Sequence, residues 1–87
     1  MENRPEVTTH HLHLVSDSTG ETVGAVARAA MVQFDGIRAI EHLWSMVRTE
    51  RQLERVLAAV EAEPGPVMFT LVSPALRTKL REACDRL

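Results

Sequence analysis

The sequence predicts an α/β fold in which three strands alternate with three helices along its 87 residues. Three short apolar runs are each followed by a segment whose apolar residues recur at helical spacing. Helix-start signals separate the runs from these segments, and residues 63–66 have the sequence Glu-Pro-Gly-Pro, which interrupts regular structure. Because this alternation is typical of parallel strands joined by right-handed crossovers, we expect a three-layer βαβαβα unit with a small parallel sheet.

The first strand is predicted at residues 11–16 and is followed by a helix. Ser18 or Thr19 is predicted to cap this helix, since Ser18 and Glu21 have the spacing of a capping box. The predicted buried face of the helix comprises Val23, Val26, Ala27, Ala30, Met31 and Phe34. Gly36, which tolerates a left-handed conformation, is predicted to end it.

The second and third strands are predicted at residues 37–45 and 67–72. Thr49 and Gln52 form a capping box for the second helix, and Ser73-Pro74 is predicted to begin the third. The predicted buried residues of the second helix are Leu53, Val56, Leu57 and Val60. Those of the third helix are Leu76, Leu80, Ala83, Cys84 and Leu87. The nearly continuous apolar run of the third strand predicts a strand covered on both faces.

Composition narrows the choice of partners and compartment. The formal net charge of −2 gives no general attraction to nucleic acid or to an anionic membrane, and no apolar run approaches the ~20 residues that span a bilayer. Cys84 is the single cysteine and forms no internal disulfide, so a reducing cytoplasm is the expected compartment. Residues 1–9 are polar and expected to be flexible, and residues 10–87 form the predicted domain. Since Leu87 falls on an apolar helix face with no stop signal before it, we expect this domain to be the N-terminal part of a longer protein.

The loop at residues 16–22 is the candidate functional site, because it joins the first strand to its helix at the edge where open α/β sheets bind ligands. The unpaired N–H groups of a helix start attract anions, and Gly20 permits a close backbone approach. The residues predicted to hold a phosphate or carboxylate are Ser16, Asp17, Ser18, Thr19, Gly20 and Thr22. The competing interpretation is that these residues only cap the helix. Asp17 could orient a hydroxyl, hold a metal ion or act as a base, and we favour instead a charge that interacts with the helix dipole.

A group of histidines near the start of the chain, His10, His11 and His13, suggests a metal site at first sight. On a strand, His11 and His13 share a face, which suits two metal ligands. No cysteine lies nearby and no third ligand is identifiable on that face, so we predict no metal site. The simpler interpretation is that these histidines line one side of the strand.

Other polar and aromatic residues have simple structural interpretations. Arg48, Arg51 and Arg55 could bind an anion, but neighbouring glutamates at helical spacing favour a solvated helix face. Trp44 is interpreted as a core residue and Cys84 as a small buried hydrophobe. Neither a GxxxxGK[ST] loop nor a GxGxxG fingerprint is present, so the chain itself has no P-loop nucleotide site.

The segment at residues 13–22, HLVSDSTGET, resembles the start of the bacterial regulatory proteins of pyruvate, phosphate dikinase and phosphoenolpyruvate synthase, a kinase/pyrophosphorylase family. Further similarity occurs at Ala27-Arg28-Ala29, Gln33-Phe34, Ile40-Glu41-His42 and residues 67–72, so the resemblance extends over nearly all of the chain after residue 10. It implies a bifunctional serine/threonine kinase and phosphorylase. Such an enzyme phosphorylates a threonine of its target with ADP, and removes that phosphate with inorganic phosphate, releasing pyrophosphate.

The resemblance also implies which parts of that activity this chain lacks. The nucleotide P-loop of the family lies in a C-terminal part that is absent here, so ADP and phosphate are expected for the full-length protein and no cofactor for this chain. The expected protein partner is pyruvate, phosphate dikinase or phosphoenolpyruvate synthase. The chain alone is not expected to turn over, and the resemblance assigns no catalytic residue.

Two alternatives stay open at the level of sequence. Residues 18–22, STGET, are also similar to the flavodoxin loop that binds the phosphate of flavin mononucleotide, although Trp44 is the one residue that could stack on a flavin. The other alternative is a non-catalytic module, because the open edges of a three-stranded parallel sheet favour homodimerisation or docking to a target enzyme.

Overall fold

A computed structural model describes residues 8–86 and confirms the predicted alternation. The elements are β1 (Thr8–Ser16), α1 (Glu21–Met31), β2 (Ile37–Trp44), α2 (Glu50–Ala62), β3 (Val67–Thr70) and α3 (Pro74–Arg86). β1 begins earlier than predicted, so residues 8 and 9 belong to the sheet and not to a flexible segment. Residues 1–7, predicted to be flexible, and Leu87, predicted on the α3 stripe, lie outside the described residues. No helix within residues 8–86 is both long and apolar enough to cross a bilayer.

β1 is the central strand of one parallel sheet, whose order is β2-β1-β3. Its length from Thr8 to Val15 pairs with β2, and its second half, from His13 to Ser16, pairs with β3. Because the chain crosses from β2 over β1 to reach β3, the winding of the sheet changes direction between β1 and β3. The carboxyl ends of all three strands therefore meet at the edge that carries the loop after β1.

Alternate residues of β1 enter two apolar cores on opposite faces of the sheet. The core against α2 and α3 contains Val15, Val47, Leu53, Val56, Val60, Leu71, Leu76 and Leu80, with Trp44, Leu57 and Cys84 packed against it. The core against α1 contains Leu12, Leu14, Val23 and Ala27. The buried faces predicted for α2 and α3 are thus confirmed as far as residue 86, except that Leu57 and Cys84 are only partly buried.

α1 buries a narrower face than its sequence predicts. Val23 and Ala27 are buried, whereas three predicted members of the face are exposed: Val26, Ala30 and Phe34. Phe34 is exposed because α1 ends at Met31, so the turn that follows removes Phe34 from the helical spacing. Gly36 has a φ of +77°, which confirms the predicted left-handed turn before β2.

β3 is shorter than predicted and lies at the edge of the described sheet. Val67 and Phe69 pack against one core and Met68 against the other, so the strand is covered on both faces as predicted, but these side chains are only half-buried. Val72, predicted inside the strand, is 79% exposed. Its N–H donates to the Asp17 carboxylate at 2.8 Å and not to a neighbouring strand. The strand therefore ends because its next backbone donor binds a side chain. β2 likewise ends at Trp44, one residue before the predicted end.

The start of α2 confirms the predicted capping box. Thr49 Oγ1 accepts a hydrogen bond from the Gln52 N–H at 3.1 Å, and Gln52 Oε1 accepts one from the Thr49 N–H at 3.1 Å. At the start of α3, Ser73 Oγ accepts from the Leu76 N–H at 3.3 Å, as predicted. Both helices therefore supply acceptors for their own first-turn amides.

Candidate functional site

The loop between β1 and α1 lies at the carboxyl edge of the sheet and is held from both sides by backbone hydrogen bonds. On one side, the Asp17 N–H donates to the Thr70 carbonyl at the end of β3 at 3.3 Å. On the other side, the Met46 N–H, just after β2, donates to the Ser18 carbonyl at 2.9 Å. These bonds fix the position from which α1 begins.

The start of α1 has no side-chain cap, so the predicted capping box of Ser18 and Glu21 is wrong. The N-cap is Gly20, which has no side chain to offer. The Ser18 hydroxyl lies 3.3 Å from the hydroxyl of Ser16, and Ser16 Oγ also accepts from the Ser18 N–H at 3.0 Å. Because the buried Ser16 hydroxyl takes Ser18 as its partner, the first-turn amides of α1 are left without a side-chain acceptor.

Two features of the structure favour glycine at the N-cap. Its φ is +88°, in the left-handed region that L-residues rarely adopt. A Cβ added there would lie 2.6 Å from Leu43 Cδ1 on β2. The glycine therefore permits both the turn into α1 and the close approach of this turn to the edge strand.

Asp17 lies three residues before the N-cap of α1, and its carboxylate binds a backbone amide after β3 instead of having the predicted role at the helix dipole. Its Oδ2 accepts from the Val72 N–H at 2.8 Å, and its carbonyl accepts from Arg48 Nε at 2.9 Å. Asp17 thus joins the ends of β1 and β3 at the point where the winding of the sheet reverses. It lies at the switch point of the sheet, where doubly wound folds commonly bind ligands.

A pocket of about 240 Å³, which we call the α1 pocket, lies between the start of α1 and β2. Its lining comprises Leu14, Thr19, Gly20, Glu21, Gly24, Arg28, Glu41 and Leu43. Of the six residues predicted to bind an anion, Thr19 and Gly20 line this pocket. The other four, Ser16, Asp17, Ser18 and Thr22, do not. The structure therefore brings together only part of the predicted site.

Arg28 is a pocket residue that the motif at residues 16–22 does not include. Its guanidinium lies over Gly24, where an added Cβ would meet Arg28 Nη1 at 3.2 Å. Positions 21, 24 and 28 are separated by three and four residues, so they share one face of α1. That spacing is the sequence signal that could have placed Arg28 beside the loop. It supplies the positive charge of the α1 pocket.

The other predicted arginine candidates do not form a site. Arg48 supports the loop through its bond to the Asp17 carbonyl, and Arg51 and Arg55 are exposed on α2. Glu54, expected to pair with an arginine at helical spacing, instead lies 3.0 Å from Lys79 Nζ on α3.

His13, Trp44 and Cys84 belong to the packing of the sheet against α2 and α3. His13 is 1% exposed, its Nε2–H donates to the Glu63 carbonyl at 2.8 Å, and its Nδ1 accepts from Trp44 Nε1–H at 3.2 Å. Burial, and secondarily the Asp85 carboxylate, raise the pKa of the Cys84 thiol above its usual range. A thiol with a raised pKa is a poor nucleophile near neutral pH. Trp44 and Cys84 pack against this core as predicted, but both are only partly buried.

The chain also matches a family of known proteins. A family model described as kinase/pyrophosphorylase matches residues 12–87, which include the loop and the whole lining of the α1 pocket. The chain belongs to the kinase/pyrophosphorylase family.

Relatives of this family member carry the name pyruvate, phosphate dikinase regulatory protein. One from Paramagnetospirillum magneticum is 61% identical over 74 residues, which are 85% of this chain and 24% of the relative. One from Acidiphilium cryptum is 57% identical over 88% of this chain and 26% of the relative. One from Caulobacter vibrioides is 51% identical over 92% of this chain and 25% of the relative. The chain thus spans about a quarter of the length of the curated relatives that it matches.

Removing the Asp17 carboxylate tests its role in this family member. Asp17→Ala should lower the free energy of unfolding by about 1–2 kcal/mol, because the Val72 N–H loses its acceptor. Asp17→Asn should lower it less, since the amide oxygen still accepts. Asp35→Ala, which removes an exposed carboxylate from the turn before β2, is the control and should change it by less than about 0.5 kcal/mol. Urea denaturation measures all three, and equal losses for the two alanine variants would contradict the assignment.

Proposed function

We propose that the chain is the N-terminal α/β unit of a bifunctional regulator of pyruvate, phosphate dikinase. The whole protein phosphorylates a threonine of the dikinase with ADP, and removes this phosphate with inorganic phosphate, releasing pyrophosphate. The observation that carries the proposal is the family match over residues 12–87. The names of the relatives favour the dikinase over phosphoenolpyruvate synthase as the target. A cytoplasmic location, expected from the single cysteine, is part of the proposal.

Within that protein, this chain contributes a phosphate-binding pocket at the start of α1. The uncapped amides after Gly20 are donors for an oxyanion, and Arg28 adds a positive charge beside them. Glu21 and Glu41 also line the α1 pocket, so an anion is held by these donors and not by a uniformly positive surface.

The flavin alternative has less support than a phosphate alone. Trp44, the residue that would stack on a flavin, packs against the core formed with α2 and α3. The α1 pocket lies on the other face of the sheet, where Leu14 and Leu43 line it. We therefore limit the proposed ligand to a phosphate-containing group that needs no aromatic platform.

A chimera tests the proposed activity of the whole protein. In it, this chain replaces the matching segment of the Paramagnetospirillum magneticum relative. The chimera should transfer phosphate from ADP to a dikinase threonine, and should release pyrophosphate when inorganic phosphate is added. Mass spectrometry detects the phosphothreonine, and a coupled assay detects the pyrophosphate.

The relative with its matching segment deleted is the control for the chimera and should be inactive. Phosphoenolpyruvate synthase, supplied in place of the dikinase, should stay unmodified. A folded chimera that modifies the synthase and leaves the dikinase unmodified would contradict the proposed target. A folded but inactive chimera, beside an active intact relative, would contradict the proposed function.

Pyrophosphate titrated into the ¹⁵N-labelled chain tests the α1 pocket directly. The amide resonances of Gly20, Glu21 and Thr22 should shift, because these N–H groups are uncapped donors. The first turn of α2 is an internal control, since Thr49 already caps its amides. Arg28→Gln should weaken the affinity by about tenfold, as expected for the loss of one charge-assisted bond. The control variant is Arg51→Gln, which removes an exposed charge from α2 and should leave the affinity unchanged.

Equal shifts at the starts of α1 and α2 would indicate a general salt effect and would contradict a specific pocket. Sodium chloride at matched ionic strength separates these outcomes. The absence of any shift at the start of α1 would also contradict it.

A homodimer is a second candidate role, and the edge strand β2 supports it. β2 is bonded only to β1 within the described sheet, and its side chains Ile37, Ile40 and Leu43 are 37–51% exposed. An unpaired strand edge with exposed apolar side chains favours pairing with a second copy.

Light scattering tests this dimer. The wild-type chain should have a mass near twice 9.7 kDa, and the Ile40→Lys variant should have a mass near 9.7 kDa. Val32→Lys, at a residue 78% exposed outside the sheet, is the control and should stay dimeric. A monomeric wild-type chain, or equal effects of both variants, would contradict pairing through β2.

A further inference from the structure

Three metal-ligating side chains from three different elements converge on the sheet face that carries α2. His11 comes from β1, His42 from β2 and Glu63 from the residue that ends α2. His11 Nδ1 lies 2.9 Å from His42 Nε2 and 3.0 Å from Glu63 Oε2, and His42 Nε2 lies 3.7 Å from Glu63 Oε2. We call these three residues the His–Glu cluster. Two imidazole nitrogens and one carboxylate oxygen thus point at one small volume.

The register of the sheet places the two histidines together. β1 and β2 pair in parallel with His13 opposite His42, so His42 is diagonal to His11 on the same face. The rings of His13 and His42 stack with their centroids 4.7 Å apart and their planes inclined by 16°. This stacking against a buried ring orients His42 towards His11.

Glu63 is brought to the histidines by the segment after α2. The Glu63 carbonyl accepts from His13 Nε2–H at 2.8 Å, which anchors its backbone over β1. Gly65 touches β1 so closely that an added Cβ would overlap the carbonyl oxygen of His11. The Pro-Gly-Pro segment therefore follows the surface of β1 because residue 65 has no side chain.

The ligand separations match those of a tetrahedral zinc ion. Zn²⁺ with bonds of about 2.0–2.1 Å separates neighbouring ligand atoms by about 3.3 Å. The three separations in the cluster lie on both sides of that value, and all three atoms are within 4.8 Å of one another.

We propose that His11, His42 and Glu63 bind one Zn²⁺ ion. Imidazole nitrogens select zinc and cobalt over magnesium and calcium, which prefer all-oxygen sites. The side chains are 31%, 24% and 50% exposed in the order named, so an ion can enter and a fourth coordination position faces solvent. The bound ion ties β1, β2 and the end of α2 together.

The zinc site is independent of the proposed phosphate pocket. The cluster lies on the α2 face of the sheet, and the α1 pocket lies on the opposite face. His11 also precedes residue 12, where the family match begins.

Zinc binding is measured on the untagged, metal-free chain. Competition with a chromogenic chelator gives the Zn²⁺ affinity and stoichiometry, and Co²⁺ substitution gives a visible spectrum that reports the geometry. We expect one Zn²⁺ per chain, a tetrahedral Co²⁺ spectrum and no competition from Mg²⁺. Loss of a ligand in His11→Ala, His42→Ala or Glu63→Gln should weaken the Zn²⁺ affinity by about 100-fold or more, since loss of even an outer partner costs 10–100-fold.

His10→Ala is the matched control, because His10 is exposed on the same strand and contacts Thr8. It should leave the Zn²⁺ affinity unchanged. Circular dichroism checks the fold of each variant. If either histidine variant fails to fold, Glu63→Gln still tests the proposal, because the half-exposed Glu63 side chain can be replaced without disturbing the core. Failure of the wild-type chain to bind Zn²⁺, a loss in His10→Ala equal to that in Glu63→Gln, or an octahedral Co²⁺ spectrum would overturn the proposal.

Discussion

The parallel pairing of β1 with both of its neighbours is the constraint on which the rest of this structure depends. β1 is hydrogen-bonded along both edges and covered on both faces, so its position and direction determine those of the other elements. Its carboxyl end fixes where α1 begins, through the bonds from Asp17 to β3 and from Met46 to Ser18. Its side chains alternate between the two cores, which separates the chemistry of the two faces.

This alternation explains how one short strand positions both the uncapped start of α1 and the His–Glu cluster. The even positions of β1 contact α1, whose uncapped start leaves free donors beside Arg28. The odd positions include His11 and His13, which organise the loop that ends α2. Since a β-strand sends neighbouring residues to opposite faces, neither feature constrains the other. One strand thus carries the turn that we propose binds phosphate at its end, and the His–Glu cluster on its side.

Local signals predicted much of this fold, and non-local contacts explain what they missed. The capping box at Thr49 and the turn at Gly36 use neighbouring residues only, and both are confirmed. Ser18 does not cap α1, because the Ser18 hydroxyl is hydrogen-bonded to the hydroxyl of Ser16, which the folded sheet buries. Likewise, the grouping of His11 with His42 from the adjacent strand and Glu63 from the end of α2 depends on residues far apart in sequence. The register of the strands and the paths of the crossover loops depend on contacts between residues distant in sequence, so local patterns do not predict them.

We propose that the turn after β1 presents the uncapped amides of α1 to a phosphate. The most direct measurement is a crystal structure of the chain, or of a family protein that contains it, with pyrophosphate bound. We expect a phosphoryl group within hydrogen-bonding distance of the Glu21 and Thr22 N–H groups, with the Arg28 guanidinium beside it. A structure with pyrophosphate bound elsewhere, and a side chain capping these amides, would contradict it.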